Sequence, residues 1–221
     1  RLRQVQRVNW QIVNVSTPAN YYHVLRRQLH REFRKPLIVA GTKAQLRDEL
    51  AVSPLADFGP GSSFQYVISE VEPEKLKPDD QIRRVVMCSG KIYYELLKQR
   101  RADGCDDVAL VRLEQFSPFP FNEVARELRK YPSAELVWCQ EEPKNMGAWY
   151  FVRDRLLTTT RTINEKVLRP AYVGRRTMAS PAEGYGDVHL REQSKILKTA
   201  LGTEVSAFPF GCAAPRAARR F

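Results

Sequence analysis

A run of fourteen residues, Arg84-Val85-Val86-Met87-Cys88-Ser89-Gly90-Lys91-Ile92-Tyr93-Tyr94-Glu95-Leu96-Leu97, constrains this chain more than any other stretch. Four apolar residues in a row read as a buried strand. The Ser-Gly pair breaks them, and Ile92, Tyr93, Leu96 and Leu97 then recur at helical spacing. A strand turning sharply into a helix belongs to a sheet with crossover helices, and the turn lies at the carboxyl end of the strand. Open α/β sheets place ligands there, beside the unpaired N–H groups of the helix N-terminus.

The rest of the chain alternates in the same way. Val8 to Val15 reads as a strand, and Ser16-Thr17-Pro18 supplies a capping hydroxyl and a proline at the first helical position. The helix from Pro18 to about Phe33 sets Tyr22, Leu25, Leu29 and Phe33 on one face and its arginines on the other. Arg34-Lys35-Pro36 stops it, and Leu37 to Ala40 is a short strand. This is a β-α-β unit whose sheet partners lie elsewhere. The pattern loosens between Gly41 and Gly61, where a boundary separates residues 1–50 from a second domain at 51–201. Phe64 to Ile68 suits a strand, and the charged, proline-bearing stretch from Glu70 to Asp80 suits a surface loop. Strands then follow at Arg84–Cys88, Val108–Leu113, Leu136–Cys139 and Val167–Val173. Helices alternate with them, one ending near Gly104 and others at Phe121–Tyr131, Trp149–Leu157 and Val188–Leu201. Such alternation implies an α/β fold with a mainly parallel sheet and helices on both faces. Gly202 to Phe221, rich in Ala, Pro and Arg without amphipathic period, reads as a disordered tail.

The net charge of +11 raises the question of nucleic acid. Three patches, Arg1 to Arg7, Arg26 to Lys35 and Glu204 to Arg220, carry nine of the eleven charges, so the body is nearly balanced. No nucleic-acid module accompanies them, and we expect no nucleic-acid partner. No apolar run is long enough for a bilayer, so no membrane partner is expected either. Cys88, Cys105, Cys139 and Cys212 are too widely spaced for a zinc pattern, and they point to a reducing compartment. His23 and His30 stand two turns apart and His189 stands alone, so no metal site is expected. Glu141 and Glu142 are adjacent on an extended segment and point opposite ways. They suit a contact surface better than shared acid/base work, so no catalytic residue is assigned. Phe116 to Phe121 reads as a rigid aromatic turn rather than a proline-motif ligand. Ser89, Gly90 and Lys91 form a candidate regulatory anion site, against the plainer reading of a capping serine, a packing glycine and a solvated lysine.

Several longer motifs carry a family resemblance. Ser16-Thr17-Pro18-Ala19, Leu25-Arg26-Arg27-Gln28 and Arg34-Lys35-Pro36-Leu37 are similar to the late pyrimidine-domain segment of the decarboxylating component of the 2-oxoglutarate dehydrogenase complex. Cys88-Ser89-Gly90-Lys91, Glu114-Gln115-Phe116-Ser117-Pro118-Phe119-Pro120, and the run from Trp138 to Trp149 resemble its C-terminal transketolase-type domain. The resemblance covers about Val8 to Leu201. It implies a thiamine-diphosphate- and magnesium-dependent enzyme that decarboxylates 2-oxoglutarate in the tricarboxylic acid cycle. The succinyl group then passes to the lipoyl-bearing succinyltransferase component, with dihydrolipoamide dehydrogenase as the third partner. It further implies a homodimer whose cofactors are bound by upstream domains, whose G-D-G…N magnesium signature is absent here. The chain alone is therefore expected to be an inactive C-terminal fragment that supplies domain and dimer contacts. Gln140, Glu141, Glu142, Asn145 and Trp149 are the residues expected to make those contacts. Some relatives carry a regulatory nucleotide or acyl-coenzyme A site on this domain, which bears on Ser89-Lys91. A 2-oxoadipate enzyme and a free-standing, non-catalytic anion-binding module remain alternatives. Eukaryotic members reside in the mitochondrial matrix, the expected location, with the bacterial cytoplasm as the alternative.

Overall fold

The computed structural model describes residues 7–163 and 169–203. Its first unit is strand β1 (Gln11–Asn14), helix α1 (Pro18–His30) and strand β2 (Leu37–Ala40). The two strands pair in parallel, Gln11 opposite Leu37 and Asn14 opposite Ala40. Thr17 caps α1 by accepting the Asn20 N–H at 3.2 Å, with Pro18 in the first turn. The helix buries Ala19, Asn20, His23 and Val24. Tyr22, Leu25 and Leu29 do share a side of α1, but it is the outer side, and Leu29 is 76% exposed. Nor do all the arginines face away from the protein: Arg27 lies on the inner side, its guanidinium 4.1 Å from the Phe64 ring centre.

The second unit holds strands β3 (Val67–Ile68), β4 (Arg84–Cys88) and β5 (Val108–Leu113). After the short strand β6 (Gln115–Ser117) come β7 (Glu135–Pro143) and β8 (Ala171–Arg175). Helices α2 (Ile92–Asp103), α3 (Phe121–Leu128), α4 (Trp149–Ile163) and α5 (Gly186–Leu201) alternate with them. The main sheet runs β3-β5-β4-β7-β8. Three of its pairings are parallel, while β3 pairs antiparallel at the edge. Every residue of β5 is buried, as a parallel strand covered on both faces must be.

Side chains alternate across this sheet. Val85, Met87, Val111, Leu136 and Trp138 point to one face and meet Val124 of α3 and Val152 and Leu156 of α4. Val86, Cys88, Leu110, Val137 and Cys139 point to the other and meet Leu96 of α2 and Ile196 and Leu201 of α5. Each fully buried aliphatic side chain contributes about 1.5–3 kcal/mol. The C-terminal end of α5 is fixed by two arginines: Arg83 donates to the Leu201 carbonyl, and Arg84 to those of Thr199 and Ala200. Cations there complement the helix dipole.

The two units are joined by more than a linker. β5 continues past Glu114 into β6, which leaves the main sheet and pairs antiparallel with β1. One sheet partner of the first unit therefore comes from within this chain, contrary to the expectation that they all lie elsewhere. Glu114, fully buried at the crossing, accepts the Ser16 N–H at 2.8 Å, the Ser16 hydroxyl, and the Asn20 amide at 2.9 Å. The donors can be assigned. Arg112 can only donate, so Ser16 Oγ accepts from it at 3.0 Å and turns its own proton to Glu114. The Gln65 N–H donates to Asn20 Oδ1, which leaves Asn20 Nδ2 facing the carboxylate. Tyr94 of α2 donates to the Ser16 carbonyl.

The stretch from Glu70 to Asp80 runs over the surface as its charge suggests, but two of its carboxylates turn inward. The Glu70 side chain is 3% exposed and bonds the equally buried Arg100 at 2.6 Å. Glu72 takes Arg101 at 2.7 Å and Lys75 at 2.6 Å. The arginines at the end of α2 draw these carboxylates inward. Element limits also shift. The strand expected over Phe64–Ile68 shortens to Val67–Ile68, β7 extends to Pro143, α4 extends to Ile163, and β8 begins at Ala171. Residues 167 and 168 of the expected last strand, and the tail from 204, lie outside the described residues.

Candidate functional site: the cleft where the strand order reverses

From β4 the chain crosses through α2 on one face to β5. From β7 it crosses through α4 on the other face to β8. Connections that leave adjacent parallel strands on opposite faces open a crevice at their carboxyl ends. A cleft of ≈ 460 Å³ occupies that position. Ser89 and Lys91 line it from the β4 turn, Gln140 and Glu141 from β7, and Phe116 and Phe151 form its apolar wall. Asn14 of the first unit closes one side. Two groups of residues that stood far apart in the sequence, the Ser89 turn and the Gln140 segment, thus face one space.

The turn itself is built around Gly90, whose φ is +71°. A Cβ there would lie 2.6 Å from the Asn14 amide nitrogen, so the glycine is required both for the left-handed backbone and for the approach of β1. Ser89 is not the helix cap: its hydroxyl donates to the Leu113 carbonyl at 2.7 Å, tying the turn to the end of β5. Lys91 is not a solvated lysine. Its ammonium bonds Glu95 at 2.7 Å and Glu141 at 2.9 Å. Burial works against the charge, but the two carboxylates outweigh it and hold the Lys91 pKa above the ordinary lysine value. A cation already shared by two carboxylates has little attraction left for an anion.

The pair belongs to a larger network at the sheet's carboxyl edge. Gln193 of α5 donates to Glu95 at 2.6 Å and to Glu141 at 3.1 Å. Gln193 in turn accepts from Arg175 at 3.1 Å. Arg175 also bonds Glu183 at 2.8 Å and the Glu141 carbonyl. Arg175 and Glu183, neither of which stands out in the sequence, therefore anchor this edge. The arginine ends a strand and the carboxylate follows eight residues later, a spacing with no periodic signature.

Gln140 organises the opposite wall. Its carbonyl oxygen accepts Trp138 Nε1 at 3.0 Å and the Trp149 N–H at 2.9 Å. Its amide donates to the Glu142, Pro143 and Met146 carbonyls. Trp149 is buried and lies 5.2 Å from the Tyr172 ring. Asn145 exchanges two hydrogen bonds with the Met178 backbone. Of the five residues expected at a contact, Gln140 and Trp149 thus work inside the fold, while Glu142 and Asn145 are exposed. His23 and His189 both have packed or polar partners, Asp57 and Arg175 respectively. Cys88 and Cys139 are buried strand residues, and burial pushes the Cys88 thiol up to about 12.

Comparison with known proteins bears on this arrangement. A family model described as 2-oxoglutarate dehydrogenase C-terminal matches residues 52–201. The chain is 48% identical over 200 residues to the 2-oxoglutarate dehydrogenase E1 component of Brucella ovis (strain ATCC 25840 / 63/290 / NCTC 10512). It is 47% identical over 200 residues to that of Brucella abortus (strain S19). Each alignment covers 88% of this chain and 20% of the relative, so the chain spans about a fifth of the length of the curated relatives it matches. With Glu114, the Ser89 turn and the Gln140 segment all inside the aligned stretch, the chain belongs to the 2-oxoglutarate dehydrogenase C-terminal family.

Proposed function

We propose that this chain is the C-terminal part of the decarboxylating subunit of a 2-oxoglutarate dehydrogenase complex, and that its work is structural: it joins the end of a pyrimidine-type domain to a transketolase-type C-terminal domain. The domain division is residues 1–50 and 51–201. The observation that carries the reading is the junction at Glu114, where a carboxylate from the second unit holds Ser16 and Asn20 of the first. Such a weld suits a part that fixes neighbouring domains. The open edge of β2 and the exposed outer face of α1 suit further contacts with upstream sequence or with the second subunit of a homodimer.

In this reading thiamine diphosphate and magnesium are held by upstream domains. Among the described residues no group of three or more His, Cys, Asp or Glu could hold a metal ion. The partners would be the lipoyl-bearing succinyltransferase component and dihydrolipoamide dehydrogenase. No helix among the described residues is long and apolar enough to cross a membrane. The relatives are bacterial, which favours the bacterial cytoplasm over the mitochondrial matrix.

The test compares the intact protein with this chain alone, each supplied with thiamine diphosphate, magnesium and an electron acceptor. Turnover of 2-oxoglutarate by the intact protein and none by the chain is the expected result. Turnover by the chain alone removes the structural reading, and preference of the intact protein for 2-oxoadipate transfers the chain to that enzyme.

A further inference from the structure

The first unit is a parallel pair of strands covered fully on one face only. Val13 of β1 and Val39 of β2 turn to α1, where they meet Val24. Ile12, Asn14, Ile38 and Ala40 turn the other way, because neighbours along a strand alternate. On that face the Ser89 turn reaches Asn14 through Gly90. Over β2 the same face is bare: Ile38 is 37% exposed, and Ala40 is exposed. A parallel sheet is ordinarily covered on both sides, and two strands alone do not make a stable one.

The backbone of β2 has an open side as well. The Gln11 N–H donates to the Pro36 carbonyl at 2.9 Å, which fixes the phase of the parallel ladder. Ile38 and Ala40 therefore turn their N–H groups to β1, while Leu37 and Val39 turn theirs to the free edge. The other side of β1 is closed by β6. β6 in turn offers three residues, with a shift of register against β1, before Pro118, which has no N–H.

A strand that precedes β1 in the chain thus has one good place, beside β2. Its connection to β1 runs across the sheet in the sense opposite to the step from β1 to β2. Crossovers between parallel strands are right-handed in about 98% of cases, so reversing the sense moves the connecting helix to the face opposite α1. That is the bare face of Ile38 and Ala40. Arg7 is helical, and three residues separate it from β1, an ordinary helix-to-strand link.

We infer that in the intact subunit an upstream strand extends this sheet parallel to β2, and that the helix leading from it to β1 crosses β2 on Ile38 and Ala40. A crossover helix runs antiparallel to its strands. Its first turn therefore comes to Gly41 and Thr42, on the rim of the strand-end cleft. The occupant is the subunit's own preceding segment, with an apolar stripe turned to Ile38, and not a second copy or a small ligand. The inference rests on the proposal that this chain is one part of a longer decarboxylating subunit, as the fivefold longer relatives support.

The experiment uses the intact protein, first assayed for 2-oxoglutarate turnover so that failure of the family proposal shows itself separately. Hydrogen exchange is read residue by residue along β2. Leu37 and Val39 are expected to exchange within about tenfold of Ile38 and Ala40, because all four amides are then bonded within a sheet. A diazirine-bearing aliphatic residue placed at position 38 is then illuminated in a mixture of heavy- and light-isotope subunits. The expected cross-link joins position 38 to sequence before residue 8 of the same subunit. Leu37 and Val39 amides that exchange more than about tenfold faster than their neighbours overturn the inference. So does a cross-link to the other subunit, or none in protein that retains turnover. If the position 38 variant fails to fold, the same residue at position 40 replaces it, and exchange in the wild type still decides the edge.

Discussion

Removing the Glu114 carboxylate tests whether the two units are held by one buried polar network or merely abut. Glu114→Ala takes the acceptor from the Ser16 N–H, the Ser16 hydroxyl and the Asn20 amide at once. It also leaves Arg112 buried with no compensating charge behind Ser16. Breaking a buried charge arrangement by deleting one member costs about 3–5 kcal/mol, because the partner's desolvation is no longer offset. A domain's whole stability is only about 5–15 kcal/mol, so the loss is a large share of it. With a urea dependence of roughly 2 kcal/mol per molar, the unfolding midpoint falls by about 1.5–2.5 M. Glutamine fills the same space and keeps one acceptor. Burial is the largest influence on Glu114 and pushes its pKa up, with Arg112, Ser16 and Asn20 pulling the other way. Glu114→Gln keeps one acceptor for the Ser16 and Asn20 N–H groups but also removes the charge opposite Arg112, so it recovers only part of the loss. Urea unfolding followed by the fluorescence of the buried Trp138 reads both variants. An alanine variant that loses less than about 1 kcal/mol, or a glutamine variant as unstable as alanine, refutes the argument.

Further predictions follow from the same contacts. Gly90→Ala forces a side chain into a left-handed backbone and against Asn14, and it destabilises the protein by about 1–3 kcal/mol; Asn14→Gly in the same protein returns part of this, and strictly additive melts would contradict the close approach. Gln140→Leu strands the Trp138 and Trp149 N–H groups, each orphaned donor costing about 1–3 kcal/mol; an unchanged melting temperature would speak against its organising role. The hydrogen bond from Arg101 lowers the Glu72 pKa from 4.5 to about 2. Its contribution is thus complete above pH 4.5 and drains away as the pH falls toward 2, and Glu72→Gln flattens that acid limb in stability measured against pH. Cys88 and Cys139 react with thiol reagents only at the rate of unfolding, whereas the half-buried Cys105 is modified in the native state; rapid native labelling of Cys88 would show that β4 opens.

Much of the architecture was legible because it rests on short-range pattern. The Arg84–Leu97 run declares a strand, a turn and a helix through the spacing of apolar residues alone, and Thr17-Pro18 declares a helix start. The motifs around Ser89 and Gln140 also named both sides of the strand-end cleft. What escaped is what depends on long-range pairing. Phe116 and Ser117 fall in the stretch read as a rigid turn, Phe116 to Phe121, because so few residues carry no period, and with Gln115 they form a strand only by meeting β1 a hundred residues away. Glu70 and Glu72 looked solvated because charge is ordinarily outside, and the arginines that bury them lie on another element. Lys91 looked free to meet an anion because Glu141, its second carboxylate, stands fifty residues further on. The outer face of α1 shows the same limit in reverse, since helical spacing identifies an apolar stripe without saying what covers it.

The passage of one strand from the main sheet into its neighbour has a consequence for how this region can be inherited. The family match starts at residue 52, yet the carboxylate at position 114 needs the hydroxyl and amide supplied at positions 16 and 20. Chimeras that exchange residues 52–201 between relatives without the preceding segment will fail wherever those partners have drifted apart. Recombination that respects the junction must carry both segments together, as a single heritable piece.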